Sequence, residues 1–190
     1  IPWSFFSDGI NSVTSVFLEY SYLVKKVVFD INILPVIKII SAMFVHIFFI
    51  FLIFIVMALF GYMPSICYIQ AFYYSFCMIC LILAIGYFTS SLSVFFRDLP
   101  QLVQVCLSAG MWLTPIMWAF DMLQGYWFSF IFKLNPMFYV VEGYRSAILG
   151  HQWVFSNWKL TIYFWCVVVL LTLIGRNVFK KMKPHFADVL

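Results

Sequence analysis

The fold class this sequence predicts is an all-α integral membrane protein, a polytopic helical bundle, and three observations predict it. The first is composition: of 190 residues, 65% are hydrophobic and 22% aromatic, against 9% charged. A water-soluble chain carries roughly a quarter charged residues. This much apolar side chain would aggregate in water, so the solvent is lipid. The second is run length: several apolar stretches reach the roughly 20 residues needed to cross about 30 Å of hydrocarbon at 1.5 Å per residue. The third is the absence of the every-other-residue alternation of a barrel strand. Backbone groups in lipid must satisfy one another, so unbroken apolar runs are helices.

Taken in order, residues 1–27 carry Phe6, Ile10, Val13, Phe17, Tyr20, Val24 and Val27 at alternating four- and three-residue steps. That spacing predicts one helix with a single apolar face, and Asp8, Asn11, Ser12, Ser15 and Glu19 fill the rest of it. Four full spans are predicted after it, over residues 38–60, 69–96, 102–120 and 160–175. The second is too long for an upright helix, so it tilts or projects out of the bilayer. The chain opens on Ile1-Pro2-Trp3, with neither Met nor the charged region and cleavage site of a signal peptide. It reads as one domain over residues 1–190 that is incomplete at its N-terminus.

Charge divides the connections into two sides. Lys25, Lys26, Lys38, Arg97, Arg176, Lys180, Lys181 and Lys183 fall on one, eight basic residues in all; Lys133, Arg145 and Lys159 fall on the other. Basic residues favour the cytoplasmic side, so the first side and the C-terminus are predicted to be cytoplasmic. The net charge of +4 follows from this asymmetry and not from a nucleic-acid surface, and no nucleic-acid partner is expected.

Three connections carry information. Phe96-Arg97-Asp98-Leu99-Pro100-Gln101 is a short charged block, with about thirty nearly uncharged residues before it and about twenty after. It marks a turn where the chain leaves the bilayer and returns, and where something outside can grip it. The connection from Lys25 to Pro35 has both signs of charge, and Pro35 disfavours a helical Leu34, so a helix boundary belongs there. It serves either as a headgroup anchor with a turn or as a docking element. The connection 121–159 is rich in Phe, Tyr and Trp yet interrupted by Asp121, Lys133, Glu142 and Arg145. Two short re-entrant or interfacial helices divided by Asn135-Pro136 fit it, with proline at a helix start. Glu142 and Arg145, three apart, share a helix face and are placed to pair, either as a structural bridge or as a gate.

No enzyme constellation stands out. His46, His151 and His185 are not spaced to share a metal, and no Gly-rich phosphate loop is present, so the chain is not expected to bind ATP itself. Cys77-x-x-Cys80 has the spacing of redox and metal sites, but lies in an apolar run without further ligands, where cysteine packs as a small hydrophobe. His46, among Phe and Ile, is either a functional intramembrane group or a hydrogen-bonded packing residue. The spans lack the buried carboxylate of a proton- or sodium-coupled carrier. Energy must therefore come from a partner, or the path must be passive.

Four blocks together resemble ABC type-2 exporter permeases. Lys25-Lys26-Val27-Val28-Phe29 followed by Ile33-Leu34-Pro35 resembles the family's cytoplasmic coupling segment, with Asp30 where a proline more often follows the phenylalanine. Phe96-Arg97-Asp98-Leu99 with Leu113-Thr114-Pro115-Ile116 resembles its fourth-to-fifth-span region. Leu134-Asn135-Pro136-Met137 with Glu142-Gly143-Tyr144-Arg145 resembles its external segment. The tail Lys183-Pro184-His185-Phe186-Ala187-Asp188 is similar to the branch that exports O-antigens, capsular polysaccharides and teichoic acids. The order and spacing are the family's over essentially the whole chain.

The resemblance implies six spans in the full subunit, about four to five of them here, with short external re-entrant helices. It implies a homodimer and two cytoplasmic ABC ATPase subunits, which would hold ATP and Mg while this chain binds no cofactor or metal and catalyses nothing. The substrate implied is a lipid-linked polysaccharide crossing the bacterial cytoplasmic membrane. Coupling to the ATPase would fall on Lys25, Lys26, Phe29, Asp30, Arg97 and Asp98, and an external gate on Asn135, Pro136, Glu142 and Arg145. Trp112, Trp118, Tyr126 and Trp127 would line the path and stack on sugar rings, although core packing and interface anchoring explain aromatic residues equally well. The rival readings are a drug or small-lipid exporter of the same fold, a membrane transferase acting on polyprenyl lipids, and a passive anchor.

Overall fold

The computed structural model describes residues 1–24, 30–61, 66–116, 129–150, 153–154 and 158–189, and all regular structure among them is helical. Helix α1, Pro2–Thr14, starts on a proline, whose missing N–H is no loss in a first turn. It buries Phe5, Phe6, Ile10 and Val13 and leaves Asp8 exposed. The continuous helix expected to residue 27 is instead divided at Ser15 and Tyr20 into α1, α2 (Val16–Glu19) and α3 (Ser21–Val24). The Ser15 hydroxyl lies 3.2 Å from the Asn11 carbonyl and 2.6 Å from the Glu19 carboxylate. Such local side-chain bonds compete with the helix ladder. The apolar stripe survives the breaks as far as Phe17, which is fully buried; Val27 lies outside the described residues.

Helix α4, Leu34–Leu59, follows a one-turn 3-10 segment, Ile31–Ile33. It is apolar almost all round, and Phe44, Phe48, Phe51 and Ile55 project outward, as a lipid-facing helix allows. Beyond it Gly61 turns the chain at φ +82°, a left-handed conformation that glycine adopts without strain. Helix α5, Gln70–Phe95, is the centre of the bundle and the most buried of the long helices. Helix α9, Trp158–Met182, packs along it.

Close approach at the centre comes from small and hydroxyl-bearing residues. A Cβ at Gly175 of α9 would stand 2.8 Å from the Ala84 carbonyl oxygen of α5, and one at Gly86 would stand 2.5 Å from a methyl of Val13 on α1. Thr14 and Thr89 share a hydroxyl hydrogen bond of 2.8 Å, and the Ser93 hydroxyl donates to the Thr14 carbonyl at 2.7 Å. Lipid tails are as apolar as leucine, so membrane helices associate through close van der Waals fit and such polar links. α5 supplies both.

Among the described residues, three helices are long and apolar enough to cross a membrane, over Ile31–Leu59, Ile66–Phe95 and Trp158–His185. The third expected span, 102–120, differs. The helix there, α6, runs Leu99–Leu113, 15 residues, about 22 Å at 1.5 Å per residue. Thr114 is extended (φ −98°, ψ 134°) because the following Pro115 disfavours the helical region for it; residues 117–120 lie outside the described set. The two short helices expected on either side of Asn135-Pro136 form, as α7 (Ser129–Lys133) and α8 (Pro136–Arg145), with a π-helical segment, Ser146–Gly150, after α8.

Among the described residues, two apolar clusters fill the bundle. The larger joins α1, α5, α8 and α9 through residues such as Ile10, Met78, Leu81, Val140 and Phe164. The smaller lies at the other end, where Val16, Phe17, Val94 and Phe179 receive Phe186 from the tail helix α10, Phe186–Val189.

Candidate functional site

The expected functional residues divide between two ends of the bundle. At the basic end, Asp30 Oδ1 accepts from the Asn32 backbone N–H at 3.2 Å, capping the turn that opens α4. The aspartate thereby satisfies an orphan N–H at a helix start. Lys183 of the tail reaches back to the same place, 3.5 Å from the Asp30 carboxylate and 3.2 Å from Asn32 Oδ1. The Asn32 N–H, and then Lys183, hold the Asp30 carboxyl below the usual aspartate range. Beneath this contact Phe186 packs on Phe17, Phe179 and Phe95, with ring centroids 5.3, 5.9 and 6.1 Å away. The tail is thereby folded under the helices that carry the expected coupling segment.

Arg97 and Asp98 lie at this end too, in the tight turn between α5 and α6, where the Leu99 N–H bonds the Phe96 carbonyl at 3.0 Å. Both are exposed and neither makes an ion pair among the described residues. Glu19 and Lys38 pair at 2.6 Å and tie α2 to α4. Lys25, Lys26 and Phe29 lie outside the described residues.

The opposite end is bonded into itself. Asn135 caps α8, its Oδ1 accepting from the Met137 N–H at 3.0 Å with Pro136 in the first turn. Its Nδ2 donates to Thr114 Oγ1 at 2.9 Å. At the far end of α8, Arg145 donates from Nη1 to Glu142 Oε2 at 3.0 Å and from Nη2 to the Pro115 carbonyl at 2.8 Å. Both ends of one short helix therefore hold the Thr114-Pro115 turn that stops α6. The expected Glu142–Arg145 pair is present, and the arginine fork also takes the Pro115 backbone carbonyl. Gly143 sits between them because a Cβ there would collide with the buried Tyr74 ring.

His46 belongs to this end. Its Nε2 lies 3.1 Å from the Tyr144 hydroxyl and 3.2 Å from Ser75 Oγ, those two hydroxyls are 2.5 Å apart, and Phe5 stacks on the imidazole at 4.4 Å. One imidazole thus joins α1, α4, α5 and α8. Its other face lines a cavity of about 290 Å³ between α1 and α4, with Ser4, Asp8, Ser12 and Ser41. A second polar chain runs through aromatic residues: Trp165 Nε1 donates to Tyr73 at 3.1 Å, Tyr73 meets Tyr139 at 3.2 Å, and Tyr139 meets Thr161 at 3.1 Å. Neither network is visible in local spacing.

Of the expected path residues, Trp112 stands on α6 at 72% exposure; Trp118, Tyr126 and Trp127 lie outside the described residues. Leu102, Val105 and Leu113 of α6 are exposed as well, and α6 buries no residue fully. Among the described residues no three His, Cys, Asp or Glu side chains converge on a metal-sized site. Cys77 and Cys80 are free thiols on α5, Cys77 packed in the main cluster.

Residues 1–149 match the family model described as ABC-2 type transporter. Two proteins of Klebsiella pneumoniae, each named O-antigen export system permease protein RfbA, are 23% and 24% identical over all 190 residues, which cover 72% of each. A Myxococcus xanthus protein of the same name is 21% identical over 189 residues, again covering 72% of its length.

Proposed function

Because the chain belongs to the ABC-2 type transporter family, as a multi-pass transport subunit that works with a partner ATPase, we propose that it is the permease of an exporter of lipid-linked polysaccharide. O-antigen is the favoured cargo within a class that includes capsular polysaccharide and teichoic acid. One observation carries this reading: the likeness to permeases named for O-antigen export runs from one end of the chain to the other. In the proposed orientation the basic end faces the cytoplasm and the α7–α8 end faces outward, in keeping with the distribution of Lys and Arg. Two copies of the permease and two ATPase subunits form the working unit, and ATP and Mg belong to the ATPase.

In this reading, closure of the ATPases presses on the connection containing Lys25, Lys26, Phe29 and Asp30 and on the Arg97-Asp98 turn. Asp30 caps the turn from which α4 springs, so a push there is delivered along α4. α4 carries His46, bonded to Tyr144 of α8. α8 holds the end of α6 through Asn135 and Arg145. A displacement at the basic end thus has a bonded route to the outward helix. Release of the Thr114-Pro115 turn opens the outward side, and the polymer passes along α6, where Trp112 offers a sugar-stacking face without a charge to trap it. Trp118, Tyr126 and Trp127, outside the described residues, are the further candidates for stacking on the polymer.

The test is deletion and complementation in the organism that carries the gene, with surface O-antigen read by labelling of intact cells. Deletion is expected to abolish surface polymer and to accumulate lipid-linked polymer inside. Unchanged surface polysaccharide, with altered efflux of a drug or small lipid, would overturn the reading.

A further inference from the structure

A second concave site lies at the basic end, away from the α6 path. The last turns of α9 bring Arg176 and Lys180, and the 3-10 turn that continues it (Lys183–His185) brings Lys183, to one wall of a cavity of about 430 Å³, closed on the other side by Tyr87 of α5 and Asn32 of the 3-10 turn before α4. Basic residues at the end of a membrane helix are usual as anchors and need no ligand. Here their arrangement is more specific. Steps of four and three keep these cations on one helix face, whereas the adjacent Lys181 is not part of the wall. Lys183 shares its charge with Asp30 at 3.5 Å. Arg176 and Lys180 have no acidic partner among the described residues.

The hydroxyls lining the cavity complete the chemistry. Tyr87 donates its proton to the Asn32 carbonyl at 3.0 Å, and Thr172 donates its own to the Val168 carbonyl at 2.7 Å. Both oxygens retain lone pairs, so they accept from a ligand hydroxyl while the cations bind an anion. Arg176 lies 18 residues after Trp158, at the start of α9, a rise of about 27 Å along the helix. With Trp158 at one interface, that places the cavity near the opposite one, at headgroup depth.

We propose that this cavity binds a phosphate-bearing, hydroxylated lipid headgroup. Phosphate takes Arg176, Lys180 and Lys183, by the fork in the case of arginine and as point charges for the lysines. The headgroup hydroxyls take Tyr87 and Thr172. Basic pockets between spans bind anionic headgroups by this chemistry. The source is either a bulk anionic phospholipid or a polyprenyl-linked sugar phosphate.

The experiment uses the full-length permease in phosphatidylcholine nanodiscs doped with phosphatidylglycerol in one arm and polyprenyl-diphosphate-linked sugar in the other. Lipids retained on the protein are counted by native mass spectrometry. Retention of either dopant over phosphatidylcholine supports the site and names its source, provided that Arg176→Gln with Lys180→Gln lowers it about tenfold or more. Arg176→Lys with Lys180→Arg, which keeps both charges, is expected to stay within a few-fold of the natural protein. No preference over phosphatidylcholine in either arm, or equal retention by the Gln pair, overturns it. Loss of retention in the charge-conserving pair, with size-exclusion behaviour unchanged, overturns it too.

Discussion

The two ends of this bundle handle polar groups in opposite ways. At the α8 end, Asn135, Glu142, Arg145, His46, Ser75 and Tyr144 bond one another or the turn at Thr114-Pro115, and His46 leaves only its Nδ1 without a hydrogen-bond partner among the described residues. At the basic end, Arg97, Asp98, Arg176 and Lys180 are unpaired among the described residues and the first two project from a tight turn. Satisfied polar networks rigidify, and a half-satisfied one is a weak point. Unspent surface charge stabilises little by itself. It is the form a docking or lipid-contacting surface takes. One end is bonded into itself, and in the proposed reading the other meets something outside the chain.

Substitutions that strike the packing behind both ends should have the largest effect. Gly175→Ala would place a methyl against the Ala84 carbonyl and push α9 off α5. A loss of about 1–3 kcal/mol is expected, read as a lower unfolding temperature in detergent. An unchanged temperature would mean that the two helices are free to part. Gly143→Ala, against the Tyr74 ring, should cost a similar amount but act at the closed end alone.

The closed end can be opened more selectively. Asn135→Ala removes the cap and the bond to Thr114, for a loss of about 1–2 kcal/mol. Asn135→Asp keeps the cap and loses the Nδ2 donor, so it should recover roughly half of that while still loosening the α6 turn. Equal losses in the two variants would show that the clamp on Thr114 contributes nothing. Arg145→Lys keeps the charge but cannot serve Glu142 and Pro115 with one planar fork. A solute leak through reconstituted permease, at nearly unchanged stability, is expected.

At the open end the pattern should invert. Arg97→Ala and Asp98→Ala are exposed substitutions, expected within about 0.5 kcal/mol of the natural protein, yet each should lower stimulation of the partner ATPase. A stability loss equal to that of Asn135→Ala would erase the contrast between the ends. Among substitutions inside the bundle, the smallest effect is expected from Thr14→Val, which removes the interhelical bond to Thr89, worth about 0.6 kcal/mol in membrane helices.

Much of this was legible from residues alone where the physics is local. Long apolar runs announced α4, α5 and α9, because a bilayer demands length before anything else. Asn135-Pro136 announced a helix start, and Glu142 with Arg145 announced an ion pair, because capping and three-residue spacing act within one turn. Hydropathy missed where α6 stops: residues 114–120 are apolar enough to continue, and only the backbone restriction before Pro115 ends the helix. The amphipathic stripe expected in residues 1–27 holds as a face as far as Phe17 but does not form one helix, since the Ser15 hydroxyl turns to the Asn11 carbonyl. The partners of Asn135, Arg145 and His46 lie 21, 30 and 98 residues away. No spacing rule reaches that far, so the closed end became visible only once the chain was folded.

The division of labour between the ends is tested most directly by the charge-reversed turn, Arg97→Glu with Asp98→Lys, in the full-length permease coexpressed with its ATPase. ATPase co-purification and surface O-antigen are measured on the same cells. The expected result is a folded permease of normal abundance that retains little ATPase and leaves the polymer inside. Normal co-purification together with normal surface polymer would contradict the claim that this exposed turn is where the exporter is gripped.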